Sequence, residues 1–272
     1  MPFITVKGKR MFFEEEGDGF PLLFGHSYLW DADMWKPQVA ELAKSYRCIV
    51  PEIWGHGRSD VLPGRPYSIE ELAGDHWIFA RALGLEQFAV IGLSVGGMWG
   101  AHMALAHPEA VTALVLMDTY SGPEPDESMT RYFRMLDIVE QTAAIPPDLV
   151  KTLVPLFFSP ATLRSHHDFV DGFKDNLASV RAEMIPSIVD IGRGIFSRKS
   201  ILDRLPGINI PALVIVGADD SARPPEESRR MAQLIRNAQL EVVPEAGHIC
   251  NLEQPELVNR LLGRFLNEAL TA

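Results

Sequence analysis

The run Phe88-Ala-Val-Ile91 is apolar and rich in β-branched residues. It breaks at Gly92-Leu-Ser94-Val-Gly96 and continues through Gly97-Met98 into a helical pattern. A serine flanked by glycine at −2 and +2 can occupy a strained turn between a strand and a helix. Glycine has no Cβ to strike the neighbouring backbone, so the turn tightens and the hydroxyl is pushed outward. The following helix then aims its free N–H groups and the positive end of its dipole at any anion formed beside that serine. The segment predicts a buried strand, a tight turn and a helix, with Ser94 as an activated nucleophile. An ordinary glycine-rich turn would carry the same letters, so residues further along the chain must decide.

The chain has 272 residues, 47% of them hydrophobic, enough to bury a large core. Its formal net charge of −11, with no clustered basic run, argues against nucleic acid and anionic membranes as partners. Cys48 and Cys250 lie in unrelated contexts, with neither metal-type spacing nor a disulfide framework, so a reducing compartment is expected. The first ten residues show no apolar core after a basic region, and no later apolar run is long enough to cross a bilayer. A cytoplasmic protein acting on a small molecule, without a metal or organic cofactor, is the expectation. Oligomeric state is left open.

Strand and helix signals alternate. A hairpin is expected over 3–6 and 10–15, with buried strands at Leu22–Phe24, Cys48–Val50, Phe88–Ile91, Val111–Met117, Ala212–Val216 and Leu240–Val243. Helical spacing runs over Met34–Lys44, from a capping box at Ser68 and Glu71 to Leu83, over Met98–Ala106, Pro225–Ile235 and Pro255–Leu270. This alternation predicts an α/β fold with a mostly parallel sheet covered on both faces. Residues 121–205 break the rhythm: they contain no convincing buried strand and read as helices punctuated by Pro146-Pro147, Pro155, Pro160 and Pro186. The expected organisation is a core of 1–120 and 206–272 with a helical lid over 121–205.

A serine hydroxyl needs a base to take its proton. Gly247-His248 supplies a histidine in a loop after the last strand, and imidazole with its pKa of about 6.5 suits the role. A carboxylate on its far nitrogen would fix the tautomer. Three acids compete for that place: Asp219 and Asp220 just past Ala212–Val216, and Asp118 at the end of Val111–Met117.

The chain resembles the α/β-hydrolase fold family over nearly its whole length. The matches are Leu22-Leu-Phe-Gly-His26-Ser-Tyr28, Gly55-His-Gly-Arg-Ser59, Gly92-Leu-Ser-Val-Gly-Gly97, Gly217-Ala-Asp-Asp220 and Gly247-His248. In that family the acid is the third residue after the glycine ending its strand, so the resemblance points to Asp220. Ser94, Asp220 and His248 would then form a Ser-His-Asp triad. The same alignment implies an oxyanion hole from the backbone N–H groups of Tyr28 and Val95. Ser27 stands where the family usually has glycine, and Glu52 where it usually has aspartate; only a structural consequence is expected of the latter.

The C-terminal half is similar to 3-oxoadipate enol-lactonases, which also have serine in the oxyanion loop. The resemblance therefore implies a carboxylic ester or lactone as substrate. A C–C bond hydrolase, a cofactor-free haloperoxidase or perhydrolase, and a ligand receptor with an idle triad stay open on the same fold. Haloalkane dehalogenation is disfavoured, because that relative uses a carboxylate nucleophile. Ser27, Tyr28, Leu29, Trp30, Val95, Met129, Phe133, Leu156 and Phe157 are the expected walls of a mostly apolar pocket.

Overall fold

Lys7 and Gly8, both at positive φ, close a hairpin between β1 (Phe3–Val6) and β2 (Lys9–Glu16) in the computed structural model, which describes residues 2–270. Six further strands follow: β3 (Phe20–Gly25), β4 (Tyr46–Pro51), β5 (Phe88–Leu93), β6 (Val111–Met117), β7 (Ala212–Gly217) and β8 (Gln239–Val243). They form one eight-stranded sheet in the order β1-β2-β4-β3-β5-β6-β7-β8. Only the β1–β2 and β2–β4 pairings are antiparallel.

Every residue of β5 and β7 is buried, which explains why these strands read as unbroken apolar runs. Successive side chains point to opposite faces. Val90, Leu114 and Val214 join one apolar cluster, with Phe79, Trp99 and Met231. Ala89, Val115 and Leu213 join the other, with Trp35 and Phe265. These partners come from the turn that leads into α1 (Lys36–Leu42) and from α2 (Ile69–Ala82), α3 (Val95–Ala106), α9 (Pro225–Leu234) and α11 (Pro255–Leu270), the last preceded by the short α10 (Cys250–Glu253).

Two helix starts differ from expectation. A 3₁₀ turn over Ala32–Trp35, capped by Asp31, precedes α1, and Pro37 sits in the first turn of α1, where its missing N–H is not needed. Helix α3 begins at Val95 rather than Met98. Gly96 reads as a turn residue, yet it and Gly97 are helical, and what they face explains why both are glycine. A Cβ on Gly96 would strike the backbone of Gly25, and one on Gly97 would stand 2.6 Å from Thr119 Cγ2. Close approach rather than a bend requires these glycines.

Between β6 and β7 the described residues hold no strand. They form α4 (Asp126–Thr142), α5 (Pro147–Phe157), α6 (Pro160–Ser165), α7 (His167–Ala178) and α8 (Ile185–Phe196). Pro147, Pro160 and Pro186 each occupy a first helical turn, so these prolines start helices rather than break them. Leu136, Leu149, Phe173 and Val189 from these helices extend the second apolar cluster. The C-terminal ends of β3, β5, β6, β7 and β8 all open toward one crevice, where Ser94, Asp118, Asp220 and His248 follow their strands.

Candidate active site

Ser94 has φ +55° and ψ −118°, a strained conformation at the junction of β5 and α3. The strain is held from both sides. Ser94 N–H donates to Met117 O at 2.9 Å, and Thr119 Oγ1 donates to Ser94 O at 2.6 Å. A side chain on Gly92 would collide with the Gly96 carbonyl, so the turn admits nothing larger there.

His248 Nε2 lies 2.9 Å from Ser94 Oγ, and its Nδ1 lies 2.9 Å from Asp220 Oδ2. The other Asp220 oxygen, Oδ1, accepts the N–H groups of Ala222 and Arg223 at 2.9 and 2.8 Å. The loop around His248 is anchored as well: its N–H donates to Phe157 O at 2.9 Å, and Glu253 accepts from both Gly247 N–H and Ser159 N–H. Burial works to lower the proton affinity of His248. The charge and hydrogen bond of Asp220, with the charge of Asp118, outweigh it and leave the imidazole above its ordinary value. Of the three acids, Asp219 is exposed and Asp118 points its oxygens at backbone N–H groups of Gly217 and Cys250.

The loop after β3 is braced by two histidines. His26 donates from Nδ1 to Ser27 O at 2.8 Å and accepts Ile53 N–H on Nε2 at 2.9 Å. His56 donates from Nδ1 to Trp54 O at 2.9 Å and accepts Leu29 N–H on Nε2 at 3.1 Å. Each ring thus has one donor and one acceptor nitrogen, which is the neutral form. Burial pushes His26 down to about 3 and His56 to about 4. Leu29 is held at φ +67°, and among the described residues no group accepts the N–H of Tyr28 or of Val95. Among the described residues the Ser27 hydroxyl donates only to Tyr28 O, at 3.5 Å.

An apolar cavity opens beside Ser94 and His248. Of the residues expected to form the pocket, Ser27, Tyr28, Leu29, Leu156 and Phe157 line it. Trp30, Val95, Met129 and Phe133 do not. Trp30 instead stacks on Phe173, with ring centroids 4.5 Å apart, and Val95 is fully buried in the core. On α4 the lining residues are Tyr132, Met135, Leu136 and Val139, a stripe at helical spacing. Phe133, one position on, is turned about 100° away from that stripe. Met129, a turn before it, is half-buried and stays clear of the cavity.

A model of the alpha/beta hydrolase fold matches residues 21–255. The chain belongs to that family. Within the alpha/beta hydrolases it is similar to 3-oxoadipate enol-lactonase 2 of Acinetobacter baylyi, with 28% identity covering 90% of this chain and 87% of the relative. It is similar to the 2-hydroxymuconate semialdehyde hydrolase of a Pseudomonas strain, with 30% identity over 98% and 93% of the two chains. Among solved structures it resembles a thermophilic esterase from Thermogutta terrifontis, at 30% identity and a TM-score of 0.90 over 99% of both chains.

This alpha/beta hydrolase also carries a feature the sequence did not signal. Glu124, Arg198 and Arg223 form a buried ion cluster in the cavity wall: Arg198 Nη1 lies 2.9 Å and Arg223 Nη2 2.7 Å from Glu124 oxygens. The three residues obey no periodicity and are brought together only by folding. Glu52 has a structural part, as expected. It is buried, accepts Arg58 N–H and pairs with the Arg58 guanidinium at 2.8 Å. Among the described residues no group of three or more His, Cys, Asp or Glu side chains could hold a metal ion, and no helix is long and apolar enough to cross a membrane.

Proposed function

We propose that this alpha/beta hydrolase cleaves a small carboxylic ester or lactone through Ser94, His248 and Asp220. The observation that carries the reading is the chain of two 2.9 Å contacts, Ser94 Oγ to His248 to Asp220, at the edge of an apolar cavity. Ser94 Oγ attacks the acyl carbon while His248 Nε2 takes its proton. Asp220 holds the imidazole in the required tautomer and stabilises the imidazolium. The carbonyl oxygen, now an anion, is received by the N–H groups of Tyr28 and Val95; losing one such donor typically costs about 2.7–4 kcal/mol of transition-state stabilisation. His248 then returns the proton to the leaving alkoxide, and the acyl group stays on Ser94. Water, deprotonated by His248, attacks the acyl-enzyme and releases the acid. Helices α4–α8 act as a lid that walls the acyl group away from solvent.

Hydrolysis of acyl esters of increasing chain length, set beside a panel of small lactones, tests the reading. Turnover that Ser94→Ala abolishes without lowering the melting temperature supports it. Fluorophosphonate labelling of Ser94 with no turnover of any acyl substrate overturns it in favour of a receptor or a more specialised enzyme. C–C bond hydrolysis of a diketone is the second reading, favoured by the similarity to a 2-hydroxymuconate semialdehyde hydrolase.

A further inference from the structure

The cavity wall of this hydrolase is apolar except at one place. Glu124 lies between β6 and α4, Arg198 follows α8, and Arg223 lies three residues past Asp220. Their side chains are 1%, 4% and 7% exposed, and all three line the same cavity as Ser94 and His248. Arg198 Nη1 donates to Glu124 Oε2 and to Ile195 O, each at 2.9 Å. Arg223 Nη2 donates to both Glu124 oxygens, at 2.7 and 2.8 Å, its Nε donates to Ala222 O, and its Nη1 stands 3.6 Å from Glu227 Oε2.

The lining therefore carries two guanidinium groups against one carboxylate, because Glu227 lies outside it and is 18% exposed. More telling is which donors are idle. Arg198 Nε and Nη2, and Arg223 Nη1 beside them in the cluster, are buried without a hydrogen-bond partner. The two Arg198 nitrogens share one edge of the planar guanidinium, the edge whose parallel N–H groups match the two oxygens of a carboxylate. A tie serving only to hold the ends of the lid together would leave no reason to bury that edge unpaired. A buried donor without an acceptor is destabilising, and an apolar side chain would fill the space without it. The cluster also sits close to the chemistry: the charge of Arg223 acts on His248.

We propose that Glu124, Arg198 and Arg223 form a carboxylate subsite, so that the ester or lactone opened by Ser94 carries a second, ionised carboxylate received by the guanidiniums of Arg198 and Arg223. Glu124 holds the two guanidiniums in place against their mutual repulsion. The inference rests on the ester and lactone reading above, and its test separates the two.

Methyl half-esters of glutaric and adipic acids are compared with methyl pentanoate and methyl hexanoate, in which a methyl group replaces the carboxylate. Hydrolysis by the full chain is followed by pH-stat titration. An apolar cavity lacking a usable cation would disfavour the charged esters. The subsite instead raises kcat/KM for at least one half-ester by about tenfold or more over its neutral counterpart, the value of one charge-assisted hydrogen bond. Within Arg198→Met that ratio falls by at least about tenfold, and Arg198→Lys, which keeps the charge but not the paired edge, falls between. Glutarate and adipate also inhibit hydrolysis of the neutral esters in the unaltered protein more strongly than pentanoate and hexanoate do. This comparison, like the first, needs no variant and stands even if Arg198→Met does not fold. If every half-ester is poorer than its counterpart and the dicarboxylates inhibit no better, the cluster is a structural tie and the subsite is overturned, while turnover of the neutral esters leaves the serine hydrolase reading intact. If no ester of either series is turned over, that reading falls and takes the subsite with it.

Discussion

Asp118 Oδ2 accepts the backbone N–H of Cys250 at 3.2 Å, two positions beyond His248. Its other oxygen accepts the N–H of Gly217 at 2.8 Å, three positions before Asp220. One fully buried carboxylate therefore ties the loop that carries the proposed acid to the loop that carries the proposed base. Burial, and then the charge of Asp220, push Asp118 up to about 7.

Removing the Asp118 charge should move the pH dependence of hydrolysis. In the proposed mechanism His248 acts as a base only when neutral, so kcat/KM rises with pH through its pKa. That limb lies above the ordinary imidazole value of about 6.5. The charge of Asp118 contributes to the upward shift. In Asp118→Asn the limb is therefore displaced to lower pH, the displacement coming from the range above about 7 where Asp118 is ionised, read as kcat/KM profiles between about pH 5 and 9. A role confined to bracing the loops predicts lower activity with an unmoved limb, and an upward displacement would contradict the electrostatic account.

Among the acids, Asp220→Asn should cost the most at saturating substrate, toward the roughly 10⁴-fold loss known for the same change in a serine protease triad. Asp219→Asn should change little, because that side chain is exposed and only its N–H is engaged, with Ala246 O. Steady-state kcat of the three asparagine variants decides. A larger loss at Asp118 or Asp219 than at Asp220 would reassign the acid.

The stripe on α4 makes a prediction that separates neighbours in the chain. Leu136→Ala and Tyr132→Ala enlarge the cavity and should each shift preference toward longer acyl chains, by about 1–3 kcal/mol in relative kcat/KM. Phe133→Ala, off the cavity, should leave the acyl-length profile where it was. An equal shift in all three would mean that α4 presents a different face.

Acid sensitivity should trace partly to buried neutral histidines. Burial lowers His76 to about 4 in the folded chain, where its Nδ1 donates to Leu72 O and its ring stacks on Trp99 at 4.2 Å. Its unfolded value is about 6.5. A histidine depressed on folding contributes stability that is full above the unfolded pKa and is lost as pH falls toward the folded one. Each such group steepens the loss by up to about 1.4 kcal/mol per pH unit in that window. Urea titrations from about pH 7 to pH 4.5 should show a gentler decline for His76→Gln by roughly that slope, on top of a constant offset because glutamine cannot stack on Trp99. Parallel curves would show that His76 does not take up a proton on unfolding.

Much of this was readable along the chain because it depends on neighbours in sequence. Gly92, Ser94 and Gly96 announce the elbow because the backbone at Gly96 leaves no room for a Cβ on Gly92 across the turn, a contact between near neighbours in sequence, and the apolar runs of β5 and β7 announce strands buried on both faces. Asp118, Asp219 and Asp220 remained rivals on chemistry alone. Adjacent residues of a turn point in different directions, and family resemblance favoured Asp220 before its 2.9 Å contact with His248 was visible. Which stretch and face of α4 meet the cavity was not readable: Met129, two turns before Leu136 on nearly the same face, and Phe133, on another face, are as apolar as Met135 and Leu136, and the choice depends on how α4 lies over the rest of the molecule. The cluster of Glu124 with Arg198 and Arg223 is the clearest case. Its members are 74 and 99 positions apart, and each alone looks like an ordinary surface charge. Backbone sterics and periodicity act over a few residues and so are written locally, whereas burial of a charge and the identity of its partner exist only once distant segments have packed together.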